Sequence, residues 1–242
     1  MLNIVLPMAG EGKRFKEAGY TTPKPFIEVE GKTMLEWSLE SLVAPDSRFI
    51  LIARASHLPG YESLMENLKK KYPITLLTID HLTEGMVCTT LIAAHLINNE
   101  EPLLLGACDQ TVDVPMSDFI SDAASRNLDG SLMTFHATHP KWSYSKVDEN
   151  GFVTEEREKN PISTHANVGF YYFAKGKDFV TAAALMIAYN ERVNNEFYVA
   201  PAYNYAIAKG AKIGIYEIQE SQMHGLGTPD DVESFKAYRA RL

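Results

Sequence analysis

The feature that most constrains the fold is a regular alternation of apolar runs and helix-like stretches from residue 4 to residue 107. Four runs are short, apolar and rich in β-forming residues: 4–8, 48–53, 74–79 and 102–107. The stretches between them, at 33–42, 61–71 and 85–97, have helical character. Strands that are apolar on both faces are typical of a parallel sheet covered by helices. The pattern predicts βαβ units in a three-layer α/β/α sandwich with a mostly parallel, Rossmann-like mixed sheet.

The second half of the chain is richer in strands. Strand-like segments lie at 130–138, 143–147, 152–156 and 166–174, and a turn at 148–151 predicts a hairpin between the middle two. Helices are predicted at 178–189, at 201–209 and from about Pro229, with a strand at 212–218. The sequence contains no Ser/Gly linker or low-complexity tract. We therefore expect one domain over residues 1–242, with a small antiparallel part inserted in the α/β architecture.

Charge and cysteine content limit the setting of the protein. A net charge of −8 argues against general binding of nucleic acid or of anionic membranes, because both require a basic surface. The only two cysteines, Cys88 and Cys108, lie in apolar segments and are expected to be reduced core thiols. Pro7 interrupts the apolar amino-terminal run, which lacks the basic segment of a signal peptide, and no run is long enough to span a bilayer. These features predict a cytoplasmic protein.

A glycine-containing segment, AGEGKRF at residues 9–15, follows the first predicted strand. Glycines at such a position let backbone amides approach a phosphate closely. The segment is not a P-loop, because Pro7 and Arg14 occupy the positions of a required glycine and a required Ser or Thr. It is not a dinucleotide fingerprint either, because Phe15 replaces the third glycine. It is therefore another kind of phosphate loop or a tight turn without a ligand.

A second motif follows at residues 21–37, TTPKPFIEVEGKTMLEW. Pro23 and Pro25 stiffen the backbone around Lys24. Together, GxGKRF and PKPFIEVEGKTM resemble the pattern of the sugar nucleotidyltransferases, the nucleoside-diphosphate-sugar pyrophosphorylases. The resemblance continues more weakly through almost the whole chain. It implies a nucleotide-binding half at residues 1–115, an acceptor-binding half at residues 116–242 and the fold of that family.

The resemblance implies roles for the first half. Arg14 would hold the departing pyrophosphate, and Lys24 would bind the phosphoryl group under attack. The segment at 80–90 would meet the nucleobase, although it also suits the ordinary start of a buried helix. The residues that would cradle the triphosphate are Met8, Ala9, Gly10, Glu11, Gly12 and Lys13, and those that would contact the base are Thr83, Glu84 and Gly85.

Asp109 follows the buried run at 102–107, where open α/β sheets place their ligands. A carboxylate at this position is suited to Mg²⁺, a cation that prefers carboxylate and phosphate oxygens. An aspartate that caps a helix or forms a turn is the structural alternative. The resemblance favours the metal role, because the family binds its metal through the equivalent aspartate.

The acceptor half contains the segment 155–169, EEREKNPISTHANVG, which resembles an E-K-P…VG stretch of the family. By this resemblance, Glu158 would hydrogen-bond acceptor hydroxyls and Lys159 would bind the acceptor phosphate. Asn160 departs from the family pattern, and a solvated charge run is the alternative interpretation of EEREK. The other residues expected at the acceptor are Asn167, Gly169 and Glu196.

A larger departure occurs at Gly225, where many family members have the aspartate of a D-x-G-T-P motif as a second metal ligand. Asp230 and Asp231 are expected to cap and charge the last helix. Three alternatives remain open: fewer protein ligands for the metal, substitution by Glu196 or His224, or lost chemistry.

The resemblance implies transfer of a nucleoside monophosphate from an NTP to a sugar 1-phosphate with release of pyrophosphate, which makes an NDP-sugar for surface polysaccharide or glycoconjugate synthesis. Mg²⁺, the NTP and a phosphorylated small-molecule acceptor are the implied cofactor and partners. The nucleobase and a homo-oligomeric state stay open. Three alternatives are a cytidylyltransferase for a non-sugar phosphate, a catalytically silent nucleotide-binding protein and a glycosyltransferase. For the last, the expected D-x-D pair is missing, since Asp113 lies too far from Asp109.

Overall fold

A computed structural model describes residues 1–241. Its strands are β1 Leu2–Met8, β2 Glu28–Val29, β3 Lys32–Thr33, β4 Ser47–Arg54, β5 Ile74–Ile79, β6 Leu103–Leu105, β7 Gln110–Val112, β8 Gly130–His136, β9 Ser143–Val147, β10 Val153–Glu158, β11 His165–Phe173, β12 Ile213–Ile218 and β13 Met223–Gly225. Its α-helices are α1 Lys13–Glu17, α2 Met34–Leu42, α3 Glu62–Lys71, α4 Met86–Leu91, α5 Ala94–Ile97, α6 Met116–Ser125, α7 Gly176–Ala188, α8 Ala202–Ala208 and α9 Pro229–Arg239. Short 3-10 helices lie at Lys24–Phe26, Ala55–His57 and Glu220–Gln222.

The central sheet confirms the predicted mixed, mostly parallel architecture. Strands β5, β4, β1 and β6 are parallel neighbours in that order. Next to β6 lies the antiparallel strand β11, followed by β8 and the parallel strand β12. The β9–β10 hairpin attaches to the start of β11 and forms the predicted antiparallel part.

Helices cover both faces of the sheet. One apolar core joins the sheet to α2, α3 and α6, and a second core joins its other face to α4, α5, α7 and α8. A third, smaller core packs α9 against α1, the β2–β3 hairpin and the start of α2. The inner parallel strands β1, β4 and β6 are almost fully buried, as continuous apolar runs require, whereas the edge strands β5 and β10 are half exposed.

Local sequence signals explain several element boundaries. Thr33 caps α2 in a reciprocal capping box with Glu36. The turn at 148–151 forms as predicted, because the Asp148 carboxylate accepts hydrogen bonds from the backbone N–H groups of Asn150 and Phe152, each at 2.9 Å. No helix within residues 1–241 has the length and apolar character needed to cross a membrane.

Two expectations need correction. The helix expected at 85–97 is divided into α4 and α5, and the Thr90 hydroxyl in α4 donates to the Met86 carbonyl, a contact that bends helices. The cap of α9 is Thr228, whose hydroxyl accepts from the Asp231 N–H at 3.1 Å. Asp230 and Asp231 add negative charge to the first turn of α9 but do not cap it. The sequence reasoning also missed α6 and the small β7–β13 and β2–β3 sheets.

Candidate active site

The candidate site lies at the carboxyl ends of β1 and β6, which are parallel neighbours. A cavity of about 420 Å³ opens there, between the segment that follows β1 and the segment that follows β6. Eleven residues that the sequence singled out line this cavity: Met8, Ala9, Gly10, Glu11, Gly12, Lys13, Lys24, Thr83, Gly85, Asp109 and Glu196. The fold thus gathers at one place residues that are almost two hundred positions apart in the sequence.

The two glycines of the loop serve different purposes. Gly12 has a left-handed φ of 63°, and a Cβ on it would lie 3.0 Å from the Cβ of Lys24. Gly12 therefore permits both the turn and the close approach of Lys24. Gly10 has no positive φ, and a Cβ on it would meet no protein atom within 4 Å. The space beside Gly10 is consequently open to the cavity.

An ion pair joins the two sides of the cavity, because the Lys24 ammonium contacts the Asp109 carboxylate. Only 21% of the Lys24 side chain and 22% of the Asp109 side chain are exposed. Burial alone would lower the pKa of Lys24, but the charge and the hydrogen bond of Asp109, together with a contribution from Cys108, outweigh this, so the pKa lies above its ordinary value. Lys24 is therefore a fixed positive charge in the cavity.

Cys108 is buried beside this pair and lines the cavity. Burial, reinforced by the charge of Asp109, raises the pKa of the Cys108 thiol to about 12, so the thiol is neutral and is not a nucleophile. The expectation of a buried thiol is confirmed for Cys108, whereas Cys88 is only half-buried.

Arg14 and Lys13 extend the positive charge at the start of α1. Arg14 is exposed and does not line the cavity, although its charge is near enough to act on Lys24. Lys13 lines the cavity, and its ammonium lies 3.8 Å from the Glu17 carboxylate. The positive groups thus reach from inside the cavity to its rim.

The segment around Gly85 is tied to the second half of the chain. Gly85 has a φ of 117°, and a Cβ on it would lie 2.6 Å from the backbone nitrogen of Phe197. The Phe197 N–H donates to the Glu84 carbonyl at 2.8 Å, and its carbonyl accepts from the Val87 N–H at 3.1 Å. Only glycine allows this approach, which also brings Glu196 to the cavity. The Glu84 side chain does not line the cavity and is paired with Arg192 at 3.1 Å.

Glu158 and Lys159 end strand β10 and lie outside the lining of this cavity. Burial raises the pKa of Glu158 to about 7, with the charge of Glu196 adding to the effect and that of Lys159 opposing it. Lys159 has a left-handed φ of 55°, and its ammonium donates to the Tyr198 hydroxyl at 2.7 Å. These four side chains form a second cluster, the acceptor cluster: Glu158, Lys159, Glu196 and Tyr198.

Glu156 is a buried carboxyl that the sequence reasoning missed. One oxygen accepts from the Asn167 amide at 2.8 Å, and the Asn167 carbonyl oxygen accepts from the Ser145 hydroxyl at 2.9 Å. The other oxygen, Oε1, is buried without a partner among the described residues. Burial raises the pKa of Glu156 to about 8, and the Ser145 and Asn167 bonds oppose this shift.

The Glu156 network also locates two expected acceptor residues. Asn167 is held inside this network and is only 3% exposed. Gly169 has a φ of 107° and lies where the register of β11 against β8 shifts, between Asn167 and Tyr171. The structure therefore places Asn167 and Gly169 in the strand behind the acceptor cluster rather than in the lining of the 420 Å³ cavity.

Alternation along β10 could have identified Glu156. In a strand, every second side chain points to the same face. Glu156 and Glu158 share the inner face, whereas Glu155 and Arg157 are on the outer face and pair with each other at 2.6 Å. The segment EEREK consequently has an ion pair on one side, and on the other side a buried carboxyl, Glu156, and a half-buried one, Glu158.

Position 225 lies close to Asp109. Gly225 pairs with Gln110 in the β7–β13 sheet, and the Leu226 N–H donates to the Asp109 carbonyl at 2.7 Å. A Cβ on Gly227 would lie 3.0 Å from Asp109 Oδ2 and 3.7 Å from Asp231 Oδ2. His224 was one alternative for the second metal ligand. Its Nε2 instead lies 2.6 Å from the Asp113 carboxylate, with which it forms a hydrogen bond.

A larger cavity, of about 620 Å³, opens between α9 and the segment that follows β8. Its lining includes His136, Lys141 and Trp142, together with Gly225 and Asp231. The glycine loop, Lys24 and Asp109 do not line it. The glycine loop and the Lys24–Asp109 pair therefore belong to the smaller cavity, whereas Asp231 borders the larger one.

The family model described as "Nucleotidyl transferase" matches residues 3–220. The crystal structure of a nucleoside-diphosphate-sugar pyrophosphorylase from Vibrio cholerae RC9 is 27% identical, has a TM-score of 0.84, and the alignment covers 97% of this chain and 99% of that one. The mannose-1-phosphate guanylyltransferase catalytic subunit beta of Drosophila melanogaster is 25% identical over 176 residues, which are 69% of this chain and 46% of that protein. The chain thus spans about half the length of this relative.

A third relative matches along most of its length. The 2-aminoethylphosphonate cytidylyltransferase of Lancefieldella rimae is 23% identical over 239 residues, which are 96% of this chain and 91% of that protein. The matched family model, the neighbouring fold and the glycine loop with its Lys24–Asp109 pair agree with one another. The chain is a nucleotidyltransferase and belongs to the nucleotidyl transferase family.

Proposed function

We propose that this enzyme transfers a nucleoside monophosphate from an NTP to a small phosphorylated acceptor, with a sugar 1-phosphate as the first candidate. The observation that supports this most strongly is the joint lining of one cavity by the glycine loop, Lys24 and Asp109, with Glu196 reaching it from the second half. An oxygen of the acceptor phosphate attacks the α-phosphorus of the NTP. The bond between the α-phosphorus and the bridging oxygen breaks, and pyrophosphate leaves with the electron pair.

This reaction brings two polyanions together, so it requires positioning and positive charge more than an acid or a base. The open backbone beside Gly10 is available to the phosphates. Lys24 would stabilise the phosphoryl group under attack, and Arg14 at the rim would bind the pyrophosphate. Lys159 would bind the acceptor phosphate, while Glu158 and Glu196 would hydrogen-bond its remaining polar groups. No nucleophilic side chain is needed, in agreement with the neutral Cys108 thiol.

The family implies Mg²⁺, and the residues present fit it. Asp109 provides a carboxylate at the cavity, and the absence of a side chain on Gly227 leaves open the space next to Asp109 Oδ2. When bound, Mg²⁺ would supply positive charge to the phosphate oxygens, since it usually takes one or two carboxylates and completes its shell with phosphates and water. Asp109 would hold the metal, and Lys24 would then be available to the phosphate.

The decisive experiment measures pyrophosphate release with Mg²⁺, using each of CTP, UTP, dTTP, GTP and ATP against sugar 1-phosphates and amino-alcohol or polyol phosphates. We expect release with one triphosphate and one acceptor class, and its loss in Asp109→Ala and Arg14→Ala. Lys16→Ala is the matched control for Arg14→Ala, because both residues are exposed cations on α1. Failure of every triphosphate to release pyrophosphate or to raise the Tm would overturn the proposal.

A second candidate acceptor carries an amino group as well as a phosphate or phosphonate. The acceptor cluster supports it, because the charge of Glu196 lies close enough to raise the pKa of Glu158, with Lys159 as the nearby cation. A ligand ammonium would relieve this repulsion while the ligand phosphate contacts Lys159. The likeness to a 2-aminoethylphosphonate cytidylyltransferase supports the same choice.

The amino group can be tested by comparing ethanolamine phosphate with ethylene glycol phosphate, which differ by an ammonium in place of a hydroxyl. If the acceptor carries an amino group, we expect kcat/KM to be at least about tenfold higher for ethanolamine phosphate than for ethylene glycol phosphate. We expect Glu158→Gln to abolish this preference. Equal use of the two compounds, or a strong preference for a sugar 1-phosphate, would leave the sugar phosphate as the acceptor.

A further inference from the structure

We propose that Asp231, in the first turn of α9, supplies the second carboxylate for the divalent cation held by Asp109. This inference rests on the metal-dependent function proposed above. It explains how the chain can retain two acidic ligands for the metal although Gly225 replaces the aspartate of the D-x-G-T-P motif. The second carboxylate then comes from six residues further along the chain and from a helix instead of the strand β13.

The first support is the path of the backbone. The pairing of β13 with β7 places Gly225 opposite Gln110, the residue that follows Asp109. The hydrogen bond from the Leu226 N–H to the Asp109 carbonyl then holds the chain against Asp109 at 2.7 Å. A side chain on Gly225 would therefore start on the strand that pairs with the residue next to Asp109.

The second support is that the Asp231 carboxylate borders the same space. The Cβ position of Gly225 is 3.6 Å from Asp231 Cγ and 3.8 Å from each carboxylate oxygen. The Cβ position of Gly227 lies between the two aspartates, 3.0 Å from Asp109 Oδ2 and 3.7 Å from Asp231 Oδ2. Any side chain on Gly227 would fill the gap between them. The two glycines therefore keep open a space that two carboxylate oxygens border.

The third support is that the Asp231 carboxylate has no structural partner among residues 1–241. Thr228 caps α9, and Asp231 contributes only its backbone N–H to that cap. Neither carboxylate oxygen takes part in a hydrogen bond or ion pair within the described part of the chain. Asp231 is thus available for a ligand, with the helix already capped without it.

The position of α9 is fixed by a different acidic residue. Asp113 accepts a hydrogen bond from the Tyr238 hydroxyl at 2.5 Å and lies 2.6 Å from His224 Nε2. The rings of His224 and Tyr238 stack at 4.2 Å. These contacts join α9 to β13 and to the residue that follows β7, so Asp231 is held on a rigid support near Asp109.

The alternative is that Asp231 only complements the positive end of the helix dipole. Asp230 provides the matched comparison, since it precedes Asp231 in the same turn, carries the same charge and is exposed. A helix-dipole role predicts similar effects for Asp230→Asn and Asp231→Asn. A metal role predicts an effect of Asp231→Asn alone.

The test measures Mn²⁺ binding by electron paramagnetic resonance, with the full chain, in the absence and in the presence of each triphosphate. We expect Asp231→Asn to weaken Mn²⁺ binding by about tenfold or more, Asp109→Asn to weaken it at least as much, and Asp230→Asn to leave it unchanged. The double variant Gly225→Asp/Asp231→Asn should recover Mn²⁺ binding, because it returns a carboxylate to the other side of the same space. Thermal unfolding of each variant without metal verifies folding.

Mn²⁺ affinity of Asp231→Asn equal to that of the parent chain, with a loss in Asp109→Asn, would overturn this inference and leave the proposed function intact. Absence of Mn²⁺ binding to the parent chain under all conditions would overturn the metal site as a whole. A Tm increase by Mn²⁺ and triphosphate that survives Asp231→Asn but not Asp109→Asn would likewise contradict the role of Asp231.

Discussion

The two halves of the molecule surround their parts of the site with a different balance of charge. In residues 1–115, the cavity presents open backbone, the cations Lys13 and Lys24, and two carboxylates, of which Asp109 is paired with Lys24 and Glu11 is exposed. In residues 116–242, the acceptor cluster and the network behind it contain three carboxyls and one lysine. The first arrangement suits a polyanion, and the second suits a ligand with hydroxyl or ammonium groups around a single phosphate. Under the proposed function, the two substrates would be distinguished by the charge of the groups that surround them.

The halves also differ in how charge is buried. Lys24 and Asp109 form an ion pair, and the pKa of Lys24 lies above its ordinary value. Glu156 and Glu158 have no comparable partner, and burial raises both pKa values by disfavouring the ionised forms. The ion-paired Lys24 ammonium carries a charge that can stabilise a phosphate. The ionisation of Glu156 and Glu158, by contrast, should change with pH and with the binding of a cation. Three predictions test this comparison.

The largest effect is expected for Lys24→Met, which keeps the length of the side chain and removes its charge. We expect kcat/KM for pyrophosphate release to fall by about 10²- to 10³-fold, because a fixed cation would no longer stabilise the phosphoryl group. Steady-state kinetics would measure the loss. Lys16→Met, which removes an exposed cation from α1, is the control and should retain activity. An effect of Lys24→Met no larger than that of the control would contradict the assignment.

A smaller effect is expected for Gly10→Ala. The added methyl group would meet no protein atom and Gly10 has no positive φ, so the free energy of unfolding should change by less than about 0.5 kcal/mol. The methyl group would instead project into the space for the triphosphate. We expect KM for the triphosphate to rise about tenfold with KM for the acceptor unchanged. Equal changes in both KM values would contradict the assignment of triphosphate binding to the first half and acceptor binding to the second half.

The last prediction is for Glu156→Gln and concerns stability instead of activity. The folded state holds the Glu156 proton up to a pKa of about 8, whereas the unfolded state releases it near the ordinary value of 4.5. Because the folded state binds more protons in this window, the free energy of unfolding falls as pH rises, by at most about 1.4 kcal/mol per pH unit for one group. Because glutamine cannot ionise, the variant should not show this decrease in the free energy of unfolding as the pH rises.

Thermal unfolding from pH 5 to pH 8 provides the measurement for Glu156→Gln. The Tm of the variant should exceed that of the parent chain increasingly toward pH 8. Glu155→Gln, on the outer face of the same strand, is the matched control and should show no such trend. Parallel Tm curves for Glu156→Gln and the parent chain would indicate that the carboxyl is ionised in the folded protein.

The sequence predicted the first half well because its signals are local. Buried apolar strands, the glycines that follow β1, and Lys24 between two prolines each depend on neighbouring residues. Even there, the reason for Gly12 could not be predicted, because the limiting contact is with Lys24, twelve residues away. The division of the helix at 85–97 was missed since apolar periodicity carries no information on bending by the Thr90 hydroxyl.

The second half was harder to predict because its site is formed by pairings across the chain. The Glu156–Asn167–Ser145 network joins three strands, although alternation along β10 would have revealed the inward face of Glu156. Asp231 could not be linked to Asp109 from sequence, since their proximity depends on the pairing of β7 with β13. The short strands of that small sheet give almost no periodic signal.

The backbone contact between Gly85 and Phe197 has a consequence for the order of events. It connects the segment expected to read the nucleobase directly to the residue that follows Glu196 in the acceptor cluster. If a bound triphosphate orders the segment around Gly85, the segment around Phe197 is ordered with it. Less conformational entropy is then lost when the second substrate binds. By thermodynamic linkage, each substrate then raises the affinity for the other by the same factor. A single glycine would thereby favour formation of the ternary complex over either binary one.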